Sequence, residues 1–121
     1  MKPAATFPQY PRRGDVHYVK ADKNRPALIL SVDGLNKFAQ DVCVVPLTTR
    51  QHANFSMRVL IKAGDGGVRE DCWAKCDQVM TLPKNLVQYP ALGSLVSQTL
   101  RKIEEQIKIA LGLLQEDGRS R

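Results

Sequence analysis

Histidine, cysteine and long apolar runs are all scarce in this chain, and each shortage removes a class of function. There are two histidines and three cysteines in 121 residues. Cys43, Cys72 and Cys76 are an odd number with no Cys-x-x-Cys pair, which suits a reducing compartment better than a disulfide framework. If Cys72 and Cys76 lie on one strand, four residues separate them by about 13 Å, too far to share an ion. Neither histidine sits at ligand spacing, so no metal and no other cofactor is expected. No stretch approaches the roughly 20 apolar residues that span a bilayer. Met1 to Pro8 lack the apolar core of a signal peptide. The expected location is the cytoplasm, with no membrane partner.

What is present is ordinary for a soluble globular protein, 43% hydrophobic and 25% charged. The length suits one domain, expected over residues 13–115 between a Pro-rich arm (1–12) and a frayed tail (116–121). A net charge of +6, spread along the chain, points to a polyanionic partner, with nucleic acid the first candidate.

Asp41 to Arg50 is the organising stretch. Val42 to Val45 form an apolar, β-branched run that reads as a strand buried on both faces. Pro46 lacks a backbone donor and belongs near the end of that strand or at an edge. Thr48, Thr49 and Arg50 follow where the chain leaves the core.

Around it, Val16 to Ala21 reads as a first strand, with Val16 and Tyr18 on one face and His17 and Val19 on the other. Pro26 opens a second, Ala27 to Val32, and Asp33 to Lys37 form a turn with room for one helical turn. Val59 and Ile61 alternate with Arg58, Leu60 and Lys62 in a fourth strand. Gly64-Asp65-Gly66-Gly67 reads as a hairpin connection, since no helix follows to make it a phosphate cradle.

The next strand spans Val68 to Leu82 with a break near Asp77. On it Cys72, Ala74 and Cys76 share an apolar face, and Trp73, Lys75 and Asp77 share the other. That second face reads either as an exposed strand surface with a weak Lys–Asp pair or as a nucleic-acid face. In the latter, Trp73 stacks a base and Lys75 meets phosphate. One more short strand is expected within Leu86 to Leu95. A helix from Gln98 to Leu114, with Ser97 as N-cap, carries the apolar stripe Leu100, Ile103, Ile107, Ala110, Leu111 and Leu114. Glu104 and Lys108 are spaced as a favourable pair on its opposite side. Ile109 and Leu113 lie off the stripe, which suggests a second contact. Several short strands closed by one helix predict an α+β fold, a small and strongly bent antiparallel β-barrel with a C-terminal amphipathic helix.

The sequence resembles the MazF/PemK toxin family, ribosome-independent endoribonucleases of bacterial toxin–antitoxin pairs. The resemblance runs from Arg13 to Leu114 and rests on motifs in the right order and spacing. They are Arg13-Gly14-Asp15-Val16, Arg25-Pro26-Ala27-Leu28-Ile29-Leu30, Asn36, Val44-Val45-Pro46-Leu47-Thr48-Thr49, Cys76-Asp77-Gln78 and the closing helix. It implies an SH3-like (CcdB/PemK-type) barrel, a homodimer, and an RNA groove at or near the subunit interface. It also implies metal-independent cleavage of single-stranded RNA by 2′-hydroxyl attack, leaving 2′,3′-cyclic phosphate and 5′-hydroxyl ends. An acidic, partly disordered antitoxin would compete with RNA for the basic groove.

The family's catalytic positions carry over onto Arg25 and Thr48, and onto Lys75 and Asp77 by likeness to the PemK branch. In-line attack needs a base, charge stabilisation at phosphorus and an acid for the leaving oxygen. Asp77, the one carboxylate of the set, is the candidate base, although an adjacent ammonium weakens a carboxylate in that role. Arg25 suits charge stabilisation better than proton donation, Thr48 can hold a phosphate oxygen, and Lys75 is the better acid candidate. Trp73, Lys23, Arg50 and His52 are candidate RNA contacts.

Two features depart from the family pattern. Only Ala21-Asp22-Lys23-Asn24 stand where relatives carry a long glycine-rich loop, which in the PemK branch holds a catalytic histidine. Lys75 stands where PemK-like proteins have arginine. His17, inside the first strand, reads as a core or interface filler. The competing readings are an RNA-binding module without activity and a CcdB-like gyrase inhibitor. Against the second, the chain ends in Gly118-Arg119-Ser120-Arg121 with no aromatic residue.

Overall fold

The computed structural model describes residues 9–50 and 57–113. Seven strands and two helices follow in order: β1 (Asp15–Lys20), β2 (Asn24–Ile29), α1 (Asp33–Phe38), β3 (Asp41–Thr48), β4 (Arg58–Ile61), β5 (Cys72–Lys75), β6 (Met80–Pro83), β7 (Gly93–Ser94) and α2 (Ser97–Ala110). They form one antiparallel sheet in the order β4-β5-β3-β2-β1-β7, with β6 also paired to β3. The sheet curls into a half-barrel and α2 packs on one face.

β3 is the hub. It pairs with β2 on one edge, while β6 and β5 succeed one another along the other. β6 covers Asp41 to Val44 and β5 covers Leu47 and Thr48. Pro46, which has no N–H to offer, falls in the gap between these two partners. The interruption of the long strand near Asp77 has the same origin: a turn at Cys76–Asp77 separates β5 from β6 as the sheet bends.

Alternation along the strands builds a core on each face. Val16, Leu28, Val45, Leu47, Val59, Ile61, Ala74 and Cys76 meet Ile103 and Ile107 of α2. Val19, Ala27, Ile29, Val42, Val44 and Leu82 form the second cluster, on the other face. The runs in β2 and β3 are therefore buried on both sides. In β4, Val59 and Ile61 point inward while Leu60 is exposed, as its pattern requires.

Four local expectations are corrected. The second strand starts at Asn24, two residues before Pro26, and so takes in Arg25. Val68 to Asp71 are not strand, whereas the short strand expected within Leu86 to Leu95 is present as the two-residue β7, paired with Asp15 and Val16. Ser97 is the first helical residue and Val96 is the N-cap. Val96 makes no side-chain cap hydrogen bond, and Asp65, 31 residues away, instead holds the cap residue and the first turn in place. Its Oδ1 accepts the Val96 N–H at 2.9 Å and its Oδ2 accepts the Thr99 hydroxyl at 2.6 Å. Glu104 does not pair with Lys108. It binds Arg13 Nη2 at 2.6 Å, tying the turn before β1 to α2, while Lys108 approaches Glu105 at 3.8 Å.

The helix ends four residues earlier than its apolar stripe suggests. Gly112 adopts φ 74°, and the N–H groups of Leu113 and Gly112 donate to Lys108 O (2.7 Å) and Ile109 O (3.1 Å). These two bonds make a Schellman cap. Leu114 lies outside the described residues.

At the β4–β5 connection, glycine is needed for contact as much as for conformation. Gly67 has φ 78°, and a Cβ there would stand 2.0 Å from the Leu92 carbonyl oxygen. Gly67→Ala combines a left-handed backbone with a clash against main chain, and is expected to cost about 3 kcal/mol or more. Urea unfolding would measure it; an unchanged midpoint would mean that this junction can move apart.

Candidate active site on the sheet face opposite the helix

The face opposite α2 gathers its functional side chains by register alone. Ala27 pairs with Pro46 and Ile29 with Val44, so these four side chains share a face with the second core. Two residues further along each strand are Arg25 on β2 and Thr48 on β3, which must point the same way. Thr48 pairs with Trp73 of β5, which turns Trp73, and two residues later Lys75, to this face. Lys75 in turn pairs with Arg58 of β4, and Trp73 with Leu60. A band of Arg25, Thr48, Trp73, Lys75 and Arg58 results, drawn from four strands.

A groove of about 320 Å³ runs beside this band. Lys23, Arg25 and Lys75 line it with Gln78 and Met80, above an apolar floor that includes Ala27, Val44 and Pro46. Arg25 and Lys23 are exposed, whereas Lys75 and Trp73 are half-buried. Burial lowers the Lys75 pKa from its ordinary 10.5, and the nearby charges of Arg58 and Arg25 lower it further. Asp77 pulls the other way. Several cations around one groove repel one another unless an anion sits among them.

Thr48 Oγ1 accepts the Arg50 N–H at 3.1 Å, which fixes the hydroxyl where β3 ends and leaves its proton free to donate. Arg50 is exposed just past it. Asp77 is exposed in the turn after β5, near enough to Lys75 to act on its titration. Arg25, Lys75 and Lys23 thus share the groove, Thr48 and Trp73 continue the same face, and Asp77, next to Gln78, is not itself among the residues that line the groove. His52 lies outside the described residues.

The other polar candidates sit elsewhere. His17 is 2% exposed, its Nδ1 lies 2.7 Å from Gln88 O, and its ring meets Tyr89 edge-on at 5.1 Å. It is a core residue. Cys72 and Cys76 both face the α2-side core, where burial, with nearby acidic residues, pushes their pKa values up to about 11 and about 12. Neither is poised as a thiolate. Among the described residues no group of three or more His, Cys, Asp or Glu side chains could hold a metal ion, and no helix is long and apolar enough to cross a membrane. Arg58 and Gln78 were not singled out from the sequence as site residues. Gln78 was visible in the Cys76-Asp77-Gln78 motif, but only the β4–β5 pairing brings Arg58 beside Lys75.

Comparisons with known proteins bear on the family and the fold. Residues 12–111 match the model of the PemK-like, MazF-like toxins of type II toxin–antitoxin systems. The endoribonuclease MazF9 of Mycobacterium tuberculosis (strain ATCC 25618 / H37Rv) is 27% identical over 115 residues, covering 84% of this chain and 97% of that protein. A solved endoribonuclease from a mycobacterial species, in complex with its cognate antitoxin, superposes with a TM-score of 0.76 at 28% identity. It covers 88% of this chain and 99% of its own. The MazE–MazF structure from Deinococcus radiodurans, at 21% identity and a TM-score of 0.75, covers 88% and 100% and shares the fold. With most of its length matched and the same curled sheet closed by a C-terminal helix, the chain belongs to the family of PemK-like, MazF-like toxins of type II toxin–antitoxin systems.

Proposed function

We propose that this chain is a metal-independent endoribonuclease that cuts single-stranded RNA. The observation that carries the reading is the cationic groove formed by Arg25, Lys75 and Lys23, with the Thr48 hydroxyl on the same sheet face. Arg25 presents a planar fork of donors to the scissile phosphate and offsets the charge that builds up there. Thr48 donates to a phosphate oxygen and holds it in line. Asp77 takes the proton of the ribose 2′-hydroxyl as that oxygen attacks phosphorus. Lys75 gives its proton to the departing 5′-oxygen as the P–O5′ bond breaks. The products are a 2′,3′-cyclic phosphate and a 5′-hydroxyl. Solvent returns the proton from Asp77 to Lys75, so charge and atoms balance over the cycle.

Trp73 offers a flat apolar surface for a neighbouring base, and Lys23, Arg50 and His52 offer contacts to flanking phosphates. The protein works in the cytoplasm as a homodimer. An acidic antitoxin restrains it by occupying the same basic groove, in keeping with the relative solved in complex with its cognate antitoxin.

Incubation of purified protein with end-labelled single-stranded RNAs in excess EDTA is expected to yield discrete fragments with 5′-hydroxyl and cyclic phosphate ends. RNA that is bound but left intact would make the chain a non-catalytic module. Activity that the chelator abolishes would overturn the metal-free mechanism.

A further inference from the structure

The β4–β5 pairing sets Arg58 directly opposite Lys75. Like charges across a ladder are destabilising, and Arg25, which lines the groove with Lys75, is a third cation nearby. Arg58 is only partly exposed, with its Nε and Nη1 shielded from solvent. A second cation beside an ammonium is useful for a site that must release a proton. Building on the proton-donor role proposed above for Lys75, we infer that Arg58 is a positioning residue for Lys75. Its guanidinium, held on the neighbouring strand, sets the charge environment in which the Lys75 ammonium hands its proton to the leaving 5′-oxygen.

The groups around Lys75 can be named element by element. Arg58 faces it from β4, Arg25 from β2, Lys23 from the turn between β1 and β2, and Asp77 from the turn that follows β5. Burial is the main cause of the lowered Lys75 pKa and Arg58 the next, ahead of Arg25, while Asp77 opposes them. On its other side Arg58 borders Lys102, Glu105 and Gln106 of α2. Arg58 thus sits between the rim of the helix and the proton donor. Lysine in place of the PemK-branch arginine makes this control available, because an ammonium responds to neighbouring charge whereas a guanidinium remains protonated.

Two measurements test the inference, and one does not need activity. In full-length protein, the ¹³Cε or ¹⁵Nζ signal of Lys75 is followed by NMR as a function of pH in wild type, Arg58→Met and Arg58→Lys. Arg58→Met is expected to move the Lys75 titration to higher pH, and Arg58→Lys to keep it where it is in wild type. In parallel, the alkaline limb of kcat for RNA cleavage shifts upward in Arg58→Met. Its kcat at neutral pH falls roughly three- to tenfold, a fraction of what a general acid supplies, while KM changes little. Thermal unfolding checks that each variant is folded, and Arg58→Gln serves if Arg58→Met is not. A Lys75 titration unchanged in the neutral variants overturns the inference. If wild type cleaves no RNA, the catalytic reading fails separately, and the NMR titration still decides whether Arg58 governs Lys75.

Discussion

Arg25→Ala is expected to lower kcat/KM for RNA cleavage by about 10²–10³-fold while leaving the fold intact, the range found when one preorganised donor to a developing anion is removed. Arg25 is exposed at the start of β2, outside both cores, so truncation opens no cavity. Stability should stay within about 0.5 kcal/mol of wild type, as for other surface substitutions. Arg25→Lys is the sharper test. It keeps the charge and loses the fork, so recovery of only a small part of the rate would assign the effect to bidentate geometry. The measurement is single-turnover cleavage of a labelled RNA, beside a binding titration with a 2′-deoxy substrate at the cut site. Arg25→Ala protein that cleaves at the wild-type rate would move the reaction away from this groove.

Lys75→Met is expected to reduce kcat by about 10²–10⁴-fold, the span that a positioned acid or base provides. The pH profile gives the sign. Lys75 must carry its proton to act as an acid, so wild-type kcat falls as pH rises through its pKa. That pKa lies below the ordinary 10.5 because of burial and the neighbouring arginines. Lys75→Met removes this alkaline limb together with most of the rate. Lys75→Arg separates proton donation from charge, since a guanidinium does not deprotonate in the working range. A slow variant whose rate no longer falls at high pH fits an acid role for Lys75. A variant as fast as wild type would mean that position 75 supplies charge alone.

Much of this site was legible before any fold was known. The alternation in Cys72-Trp73-Ala74-Lys75-Cys76 separates an apolar face from a functional one, because consecutive side chains in an extended backbone point to opposite sides whatever the strand pairs with. The double-sided burial of β3 and the position of Pro46 near its end follow from residue type in the same way. Ser97 is a good local capping residue, yet it is the first residue of the helix, and the side chain that fixes this end is Asp65, 31 residues away from the cap residue Val96. Glu104 has a suitable partner one helical turn along, yet it bonds to Arg13 from the turn before β1. In both cases a tertiary contact displaced a sound local rule.

By itself, then, the order of residues determined which side chains share a face within each strand, where the closing helix lies, and that the chain carries a net positive charge. Period-two alternation, helical spacing and charge are properties of short segments. Only the tertiary structure decided which strands are neighbours: that β5 and β6 divide one edge of β3, that Thr48 stands across from Trp73, and that Arg58 stands across from Lys75. Strand partners are chosen where distant apolar faces collapse together and the sheet bends, and no local pattern encodes that choice.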